Sequence, residues 1–397
     1  MISPVDPLIP VSEADALIRS SIKSLPSESV TLSRAIGRQL LSPIVADREL
    51  PPYDRAMMDG VAFNSATVDS LTPTLEIVGL HPAGSPPPPP LSPGQAWEIM
   101  TGAVIPPDCD TIVPYENLSA DHSYVLKPFA PGAFIHRRGT DSKANDILVP
   151  AGTPIGAPEI AIASSVGQTR LIVSSLPRVG ILSTGDEAIH PAAHPESWQI
   201  RRSNGPALAA LISQFGYPLD FHKHASDEAE ELSVMLDQAL QAVDVLIISG
   251  GISKGKKDLI RTLLEERRGT PAFHGVAQKP GKPLAFWPGS PNVFALPGNP
   301  VSTLATFARF VRPTLLRLQG LEPPTRLVRA PDGLQALNSL TWLAPTTIRP
   351  QRKPQLRPPR NSGDFAGIAT STGIIEVPPS ESFKAEGPFV YYPYSES

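Results

Sequence analysis

The run DVLIISGG, residues 244–251, places four consecutive aliphatic side chains directly before a serine and two glycines. The earlier run RVGILST, residues 178–184, has the same apolar character and is also followed by a glycine. Strands that are apolar along their whole length, rather than at alternate positions, are typical of parallel sheets covered by helices on both faces. These two runs therefore predict an α/β domain with a buried, mostly parallel sheet.

The segments around these runs alternate as such a domain requires. Helical periodicity begins at Ser203 and stops at Gly216, and a polar helix is expected over residues 227–242. Further helices are expected over residues 258–267 and 301–318, with the strand-like runs LAFW and NVFALPG between them. Together these segments predict one α/β domain over residues 177–320.

The flanking sequence predicts three further parts. The N-terminal stretch is helical in pattern, with Ser12 and Asp15 as a capping box, and a short second helix is expected over residues 33–41. Short β-rich runs separated by Gly and Pro turns follow, at residues 75–80, 110–116 and 123–129. We therefore expect a helical base domain, an inserted β domain and a C-terminal β domain, over residues 1–42 with 140–176, residues 43–139, and residues 321–397.

Composition narrows the function classes. A formal net charge of -4 provides no basic field for nucleic acid, and no apolar run reaches the roughly 18 residues of a membrane span. The single cysteine, Cys109, excludes an internal disulfide, so a reducing compartment and a cytoplasmic location are expected. The basic stretch RPQRKPQLRPPR, residues 349–360, lacks interleaved aromatics, which favours a solvated loop over a nucleic-acid arm.

Three glycine-containing turns directly follow apolar strands: LSTGDE, residues 182–187; SGGISKGKKD, residues 249–258; and LPGNPVS, residues 296–302. Ligands of open parallel sheets bind where the carboxyl ends of strands gather. Glycine lets backbone N–H groups approach an anion closely, and helix starts add favourable partial charge. The turns match neither a Walker loop nor a dinucleotide fingerprint, so they indicate a different kind of anion site.

Charged side chains occupy these turns and one neighbouring loop. Asp186, Glu187 and Asp258 offer hard oxygen ligands suited to Mg²⁺. Lys279 and Lys282, in QKPGKP, are held by neighbouring prolines and a glycine. Lysines on such a stiff backbone could neutralise an oxyanion, and the pattern fits exposed lysines at a strand end equally well. The pattern indicates an anionic, phosphate-bearing ligand together with a divalent metal.

The N-terminal half carries three polar loops that are candidate site loops: PPYDRAMMDG, residues 51–60; TGAVIPPDCD, residues 101–110; and RRGTD, residues 137–141. The histidines show no catalytic grouping. His222 and His224 would share one strand face, and a surface position is favoured over metal ligation.

These seven motifs, in this order and spacing, resemble the molybdopterin molybdenumtransferases, the family that includes the gephyrin E domain. The resemblance covers about residues 10–320. It implies an elongated multidomain α/β plus β subunit: a helical base, an inserted β domain, an α/β domain of the molybdopterin-binding type and a small C-terminal β domain. It also implies a cytoplasmic homodimer in which loops of the partner subunit complete each site.

The resemblance further implies a molybdenum insertase. Its substrates would be molybdate and adenylylated molybdopterin, AMP would leave, and Mg²⁺ would assist. A transient contact with a molybdopterin adenylyltransferase is expected. The implied catalytic residues are Asp59, Asp141, Glu187, Asp227 and Asp258, with Glu187 and Asp258 as metal ligands and Asp59 reaching across the dimer. The implied substrate-binding residues are Thr184, Gly185, Ser249, Gly250, Gly251, Lys279, Lys282, Pro297, Gly298, Asn299 and Pro300.

The sequence departs from the family pattern at several positions. Lys254, Lys256 and Lys257 make the second turn more cationic than is usual, and Ala56 and Met57 replace a Ser-Ala pair. The C-terminal part matches the family poorly, and only Ser362 and Gly363 are retained there as candidate site residues. Two alternatives remain open: a molybdopterin adenylyltransferase, which uses a similar α/β domain, and a non-catalytic pterin-binding or scaffold protein on the same fold.

Overall fold

The computed structural model describes residues 7–69, 71–251, 259–361 and 363–395. The chain divides into two compact units. We call Met1–Glu28 with Val173–Ser397 the major unit, and Ser29–Ile172 the inserted unit. The multidomain α/β plus β class is confirmed, whereas the four-part division stays a prediction.

The helices of the described residues are short to medium in length, and none is both long and apolar enough to cross a membrane. A π-helical turn, Phe307–Val311, joins two of them into one continuous rod. The α-helices are α1 (Val11–Ser21), α2 (Leu32–Ala35), α3 (Ala157–Ser165), α4 (Asn204–Gln214), α5 (Ala229–Ala242), α6 (Leu259–Arg268), α7 (Pro300–Thr306), α8 (Arg312–Leu318) and α9 (Phe365–Ile368).

Strands β1 (Ser27–Thr31) and β10 (Arg170–Ser174) each span a boundary between the two units. The strands that lie wholly in the inserted unit are β2 (Ile44–Val45), β3 (Arg55–Ala56), β4 (Gly60–Phe63), β5 (Glu76–His81), β6 (Gln95–Ile99), β7 (Thr111–Pro114), β8 (Ile135–His136) and β9 (Ile147–Val149). The remaining strands of the major unit are β11 (Val179–Thr184), β12 (Ala188–Ile189), β13 (Ile200–Arg201), β14 (Leu219–Ala225), β15 (Val245–Ser249), β16 (Phe273–His274), β17 (Gln278–Lys279), β18 (Ala285–Trp287), β19 (Asn292–Leu296), β20 (Arg326–Val328), β21 (Thr341–Thr347), β22 (Gln355–Leu356), β23 (Gly373–Val377) and β24 (Phe389–Pro393).

The central sheet of the major unit has the order β14-β11-β15-β19-β18-β16. Its first four strands run parallel, and β18 and β16 are antiparallel additions at one edge. Ile181 and Ile247 pack with α1, α4 and α8 on one face, while the neighbouring Leu182 and Ile248 pack with α5 and α6 on the other. Both faces of the strands are covered, which explains their continuous apolar character and confirms the predicted α/β domain.

A second sheet of the major unit has the order β17-β21-β23-β24-β20, with β22 paired to β21. Strand β17 belongs to the loop QKPGKP, yet it pairs in parallel with β21 so that Lys279 lies opposite Trp342. The C-terminal β domain predicted from the sequence is therefore joined by a backbone ladder to the segment that carries both candidate lysines.

The inserted unit contains a four-stranded sheet of order β5-β6-β4-β7. Cys109 lies in one of its two apolar clusters, and burial raises the pKa of this thiol to about 12, which keeps it protonated and unreactive. The strand predicted over residues 123–129 is wrong. This segment forms only the isolated bridges at Tyr124 and Val125, because Lys127 and Pro128 interrupt the pattern.

Two predictions for the N-terminal helices are also wrong. Helix α1 begins directly after Pro10 and has no side-chain cap, so Ser12 lies inside the first turn and forms no capping box. Asp15 is instead engaged in tertiary ion pairs. The second helix ends at Ala35, since the chain turns at Gly37 with a φ of +77°.

Arg309, in the π-helical turn, is the buried partner of Asp15. Its guanidinium lies 3.1 Å from Asp15 Oδ1 and 2.5 Å from Glu376 Oε2, and only 9% of the side chain is exposed. Burial alone would lower the pKa of Arg309, but the negative charges of Glu376 and Asp15 outweigh burial and raise it. The ion pairs connect α1, the central rod and β23.

We expect Arg309→Met to lower the free energy of unfolding by about 3 kcal/mol, because Glu376 would lose its described ion-pair partner and Asp15 would keep only Arg317, 3.4 Å away. Urea denaturation measures this change. Arg19→Met is the matched control, since the pair of Arg19 with Glu322 is 58% and 65% exposed and contributes little. Equal midpoints for the two variants would contradict a stabilising role for the buried pairs.

Candidate functional site

The parallel register of the central sheet brings the three glycine turns together. Ser183 lies opposite Ser249, and Ser249 lies opposite Leu296, so β11, β15 and β19 end at the same level. A Cβ atom on Gly250 would lie 2.8 Å from the carbonyl oxygen of Thr184, and one on Gly251 would lie 2.9 Å from Thr184 Oγ1. Both glycines also have positive φ angles, so this close approach of the two turns requires glycine.

Asn204, the first residue of α4, ties two of the turns together. Its Nδ2 atom donates to Ser249 Oγ at 3.1 Å and to the carbonyl oxygen of Gly298 at 2.6 Å. Sequence reasoning missed this residue, because Asn at a helix start is common for capping alone. The hydrogen bonds fix the spacing of the second and third turns.

A cavity of about 1060 Å³ opens in front of these turns in the major unit. Two predicted substrate-binding residues are not among those that line it: Ser249 is buried at the end of β15, and Pro300 is the first residue of α7. The predicted residues that line the cavity are Thr184, Gly185, Glu187, Asp227, Gly250, Gly251, Lys279, Lys282, Pro297, Gly298 and Asn299. Asp258, Ser362 and the lysines at 254, 256 and 257 lie outside the described residues.

Three buried polar atoms at or beside the cavity have no hydrogen-bond partner: Thr184 Oγ1, Asn204 Oδ1 and Gln278 Oε1. The orientation of the Gln278 amide is set by its Nε2 atom, which donates to the carbonyl oxygen of Gly281 at 2.9 Å. Buried polar atoms are normally paired, so an unpaired group in a native structure needs an explanation. Here the explanation that fits is a ligand or water with N–H or O–H donors.

The carboxylates form one side of the cavity. Glu187 folds over Gly185, with Oε2 only 2.8 Å from the position of a Cβ atom there, and the backbone N–H of Asp227 donates to Asp186 Oδ1 at 3.1 Å. No cluster of three metal-binding side chains occurs within the described residues. Magnesium is nevertheless commonly held by one or two carboxylates together with substrate phosphate oxygens, and Glu187 with Asp227 suits that arrangement.

His224 lies beneath the first turn. Its Nδ1 atom is 3.0 Å from Ser183 Oγ. Burial, with a smaller contribution from the positive charge of Arg202, lowers the pKa of His224, so the imidazole is neutral at pH 7. The sequence favoured a surface position for His224, but the side chain is half-buried against Ser183.

The lysines form another side of the cavity. Both side chains are exposed, and neither ammonium has an ion-pair partner in the part of the chain that the structure describes. The loop between them is rigid: a Cβ atom on Gly281 would lie 2.5 Å from Thr306 Cγ2, and Val276 N–H donates to the carbonyl oxygen of Lys282 at 2.9 Å. Two cations are therefore presented without partners on a fixed backbone.

The C-terminal segment supplies a wall that sequence reasoning did not foresee. The wall residues are Leu337, Leu340, Trp342, Pro345, Pro358, Pro359, Arg360 and Asn361. The stretch over residues 349–360 was expected to be a solvated loop, but its last three residues lie against the cavity. Its proline-rich composition resembles that of an exposed loop, and only the folding of β21 and β22 brings it to the site.

Asp59 and Asp141 belong to the inserted unit. Asp59 Oδ1 accepts hydrogen bonds from the Thr101 hydroxyl at 2.6 Å and its backbone N–H at 2.7 Å, which lower the pKa of Asp59. Asp141 Oδ1 lies 2.8 Å from His136 Nε2, and Arg55 donates to the other ring nitrogen of His136. Because a guanidinium only donates, Nε2 of His136 carries the proton given to Asp141. His136 is a second residue that sequence reasoning missed.

Two family models match most of the chain. The model described as the MoeA N-terminal region (domain I and II) matches residues 9–167. The model described as a probable molybdopterin binding domain matches residues 180–317, which include all three glycine turns and both lysines.

Known proteins match over nearly the whole length. The molybdopterin molybdenumtransferase of Synechocystis sp. is 32% identical over 97% of this chain and 100% of its own length. That of Nostoc sp. is 34% identical over 84% of this chain and 80% of its own length. A solved structure of the molybdopterin biosynthesis MoeA protein from Pyrococcus horikoshii OT3 is 26% identical, with a TM-score of 0.80 over 97% of this chain and 99% of that chain. The family resemblance seen in the motifs is thereby confirmed: the chain belongs to the molybdopterin molybdenumtransferase family.

Proposed function

We propose that this protein is a molybdenum insertase: it places molybdate on the dithiolene of adenylylated molybdopterin and releases AMP. One observation carries the proposal. A single cavity combines glycine turns at the carboxyl ends of three parallel strands, two unpaired lysines and two carboxylates. Membership of the molybdopterin molybdenumtransferase family supports it.

The lysines would neutralise the incoming oxyanion. Molybdate is a dianion that must approach a pterin already bearing phosphate, so repulsion has to be offset locally. Near a protein surface, one charge pair at 4 Å contributes roughly 4 kcal/mol at an effective dielectric constant of 20. Lys279 and Lys282 have no described carboxylate partner to lose, so their charge is available to the substrate.

The turns would hold the phosphate-bearing half of the substrate. Gly250 and Gly251 line the cavity and let their turn pack against Thr184, and Asn204 keeps the Gly298 turn in place. Thr184 Oγ1 would pair with a donor of the ligand or donate to a phosphate oxygen. These contacts would orient the phosphoanhydride whose cleavage releases AMP.

Glu187 and Asp227 would hold Mg²⁺ together with phosphate oxygens of the substrate, with Asp258 as a further expected ligand. When bound, the ion would offset the charge that develops on the leaving phosphate. The chain places both carboxylates beside the first turn: Glu187 lies over Gly185, and the backbone N–H of Asp227 donates to Asp186.

The alternatives are less favoured. An adenylyltransferase shares the α/β domain, but the match to the MoeA N-terminal region over residues 9–167 lies outside that domain. A scaffold protein would not need two unpaired lysines beside two carboxylates in one cavity. We also propose the cytoplasm as the location and a transient contact with an adenylyltransferase, which would supply the adenylylated substrate.

Lys279→Ala should reduce molybdate-dependent AMP release at least about 100-fold, because the oxyanion loses a preorganised cation. The assay mixes purified protein, adenylylated molybdopterin, Mg²⁺ and molybdate, and measures AMP and the formed cofactor. Lys353→Ala is the matched control, since its pair with Asp332 is 72% and 82% exposed and lies outside the cavity lining.

Full AMP release by Lys279→Ala would contradict the assigned role of the lysine. Tight binding of the pterin substrate by the wild type, without any AMP release on addition of molybdate, would contradict insertion and favour a scaffold.

Glu187→Gln should raise the Mg²⁺ concentration for half-maximal AMP release by about tenfold, since an amide is a weaker ligand than a carboxylate. A magnesium titration of the insertion assay measures this. Glu266→Gln is the control: this side chain of α6 is 63% exposed and lies outside the cavity lining, so the variant should require the same Mg²⁺ concentration as the wild type. Activity that persists in excess chelator would rule out the metal.

We further propose a homodimer in which Asp59 serves the cavity of the partner subunit. Mixed refolding of Asp59→Asn with Lys279→Ala subunits should then recover roughly a quarter of wild-type AMP release, because half of the dimers are mixed and each has one intact site. Each variant alone stays inactive. A mixture no more active than its components, with mixed dimers verified by differential tags, would overturn the shared site.

A further inference from the structure

Trp342 is the aromatic residue of the C-terminal wall. The side chain is half-buried: it packs against the cluster of Ala344, Ile375 and Val377, and it also lines the cavity. One part of the indole is therefore supported by the sheet core while another part faces the space in front of the glycine turns.

The pairing of β17 with β21 places this indole beside a cation. Lys279 and Trp342 are opposite each other in the parallel ladder, and residues opposite each other project from the same face of a sheet. The ammonium of Lys279 has no described ion-pair partner. A ligand with a flat ring and an anionic substituent could stack its ring on the indole of Trp342 and place its negative charge at the ammonium of Lys279.

The wall is held by backbone hydrogen bonds rather than by mobile side chains. Thr341 N–H donates to the carbonyl oxygen of Ala277 at 3.0 Å, which locks β21 to the lysine loop. Ser380 N–H donates to the Asn338 carbonyl at 2.9 Å, and Arg357 N–H donates to the Pro345 carbonyl at 2.7 Å. A preorganised wall loses little entropy when a ring binds against it.

Five of the other wall residues are apolar, and Arg360 and Asn361 add polar groups. The apolar residues that line the cavity with Trp342 are Leu337, Leu340, Pro345, Pro358 and Pro359. Gln278 lines the same cavity and has a buried acceptor, Oε1, without a partner. A mostly apolar lining with an unpaired acceptor suits a heterocycle bearing N–H donors better than it suits an aliphatic chain.

We propose that Trp342 and the surrounding C-terminal wall form a binding subsite for a fused, nitrogen-containing ring of the substrate, stacked on the indole with its anionic substituent at Lys279. The subsite rests on the proposed function for its substrate, which carries two such rings: the pterin and the adenine. The C-terminal domain thereby contributes ring recognition to a site whose phosphate groups are held by the α/β domain.

Binding measurements with separate probes test the subsite. Trp342→Leu keeps an apolar side chain on the cluster but removes the flat aromatic face, whereas Trp342→Phe keeps a ring. Isothermal titration of the full-length variants with AMP, with 6-carboxypterin and with molybdate alone gives the affinities. Leu327→Ala is the control, because β20 lies at the opposite edge of the same sheet and this side chain is 58% exposed.

Trp342→Leu should weaken the binding of one ring probe by roughly tenfold, the usual effect of losing one stacking partner. Trp342→Phe should recover most of that loss, and molybdate, which has no ring, should bind to every variant as it does to the wild type. Selective loss of AMP assigns the adenine to the subsite, and selective loss of 6-carboxypterin assigns the pterin.

Unchanged affinity for both ring probes would overturn the subsite, and so would an equal loss of molybdate affinity, which indicates a structural effect. The insertion assay distinguishes failure of the subsite from failure of the proposed function. A wild type that releases AMP on addition of molybdate, beside a Trp342→Leu variant that binds both rings normally, refutes only the subsite. A wild type that binds rings through Trp342 but releases no AMP refutes only insertion.

Discussion

The parallel register of β11, β15 and β19 is the constraint on which the site depends. Ser183, Ser249 and Leu296 lie level across three strands, so the turns that follow them have to occupy one small volume. That crowding is tolerable only because Gly250 and Gly251 lack side chains where Thr184 approaches within van der Waals contact. The amide of Asn204 then holds the Gly298 turn at a fixed spacing. An anion-binding edge results from packing of backbone, not from one contiguous motif.

A second pairing extends this edge into a cavity. Strand β17 lies inside the lysine loop but hydrogen-bonds to β21, which is more than 60 residues later in the chain. The C-terminal segment thereby contributes its mostly apolar wall to the cavity in front of the glycine turns. Arg309 strengthens the same region, since its buried ion pairs connect α1, the π-helical turn and β23. A π-helical turn is a local irregularity that often accompanies a functional requirement, and here it carries the buried guanidinium.

The charges in the cavity are arranged for a ligand rather than for stability. Lys279 and Lys282 lack described ion-pair partners, although Glu187 and Asp227 line the same space. Thr184 Oγ1 and Gln278 Oε1 are buried without hydrogen bonds. A buried polar atom without a hydrogen bond is unfavourable in an isolated protein, and natural proteins accept such violations mainly at functional sites. An anionic substrate with N–H donors and a divalent metal would satisfy all of them.

The sequence by itself determined the α/β class, the carboxyl-end turns, the candidate lysines and carboxylates, and the family, because continuous apolar strands and glycine turns are encoded over a few neighbouring residues. It failed where a role depends on distant partners. Asp15 was assigned to a local cap, yet it pairs with Arg309, nearly 300 residues away. Asn204, His136 and Trp342 have unremarkable local contexts, and residues 358–360 have the composition of a solvated loop. Their contribution is set by strand register and side-chain contacts between remote segments, which only the tertiary structure decides.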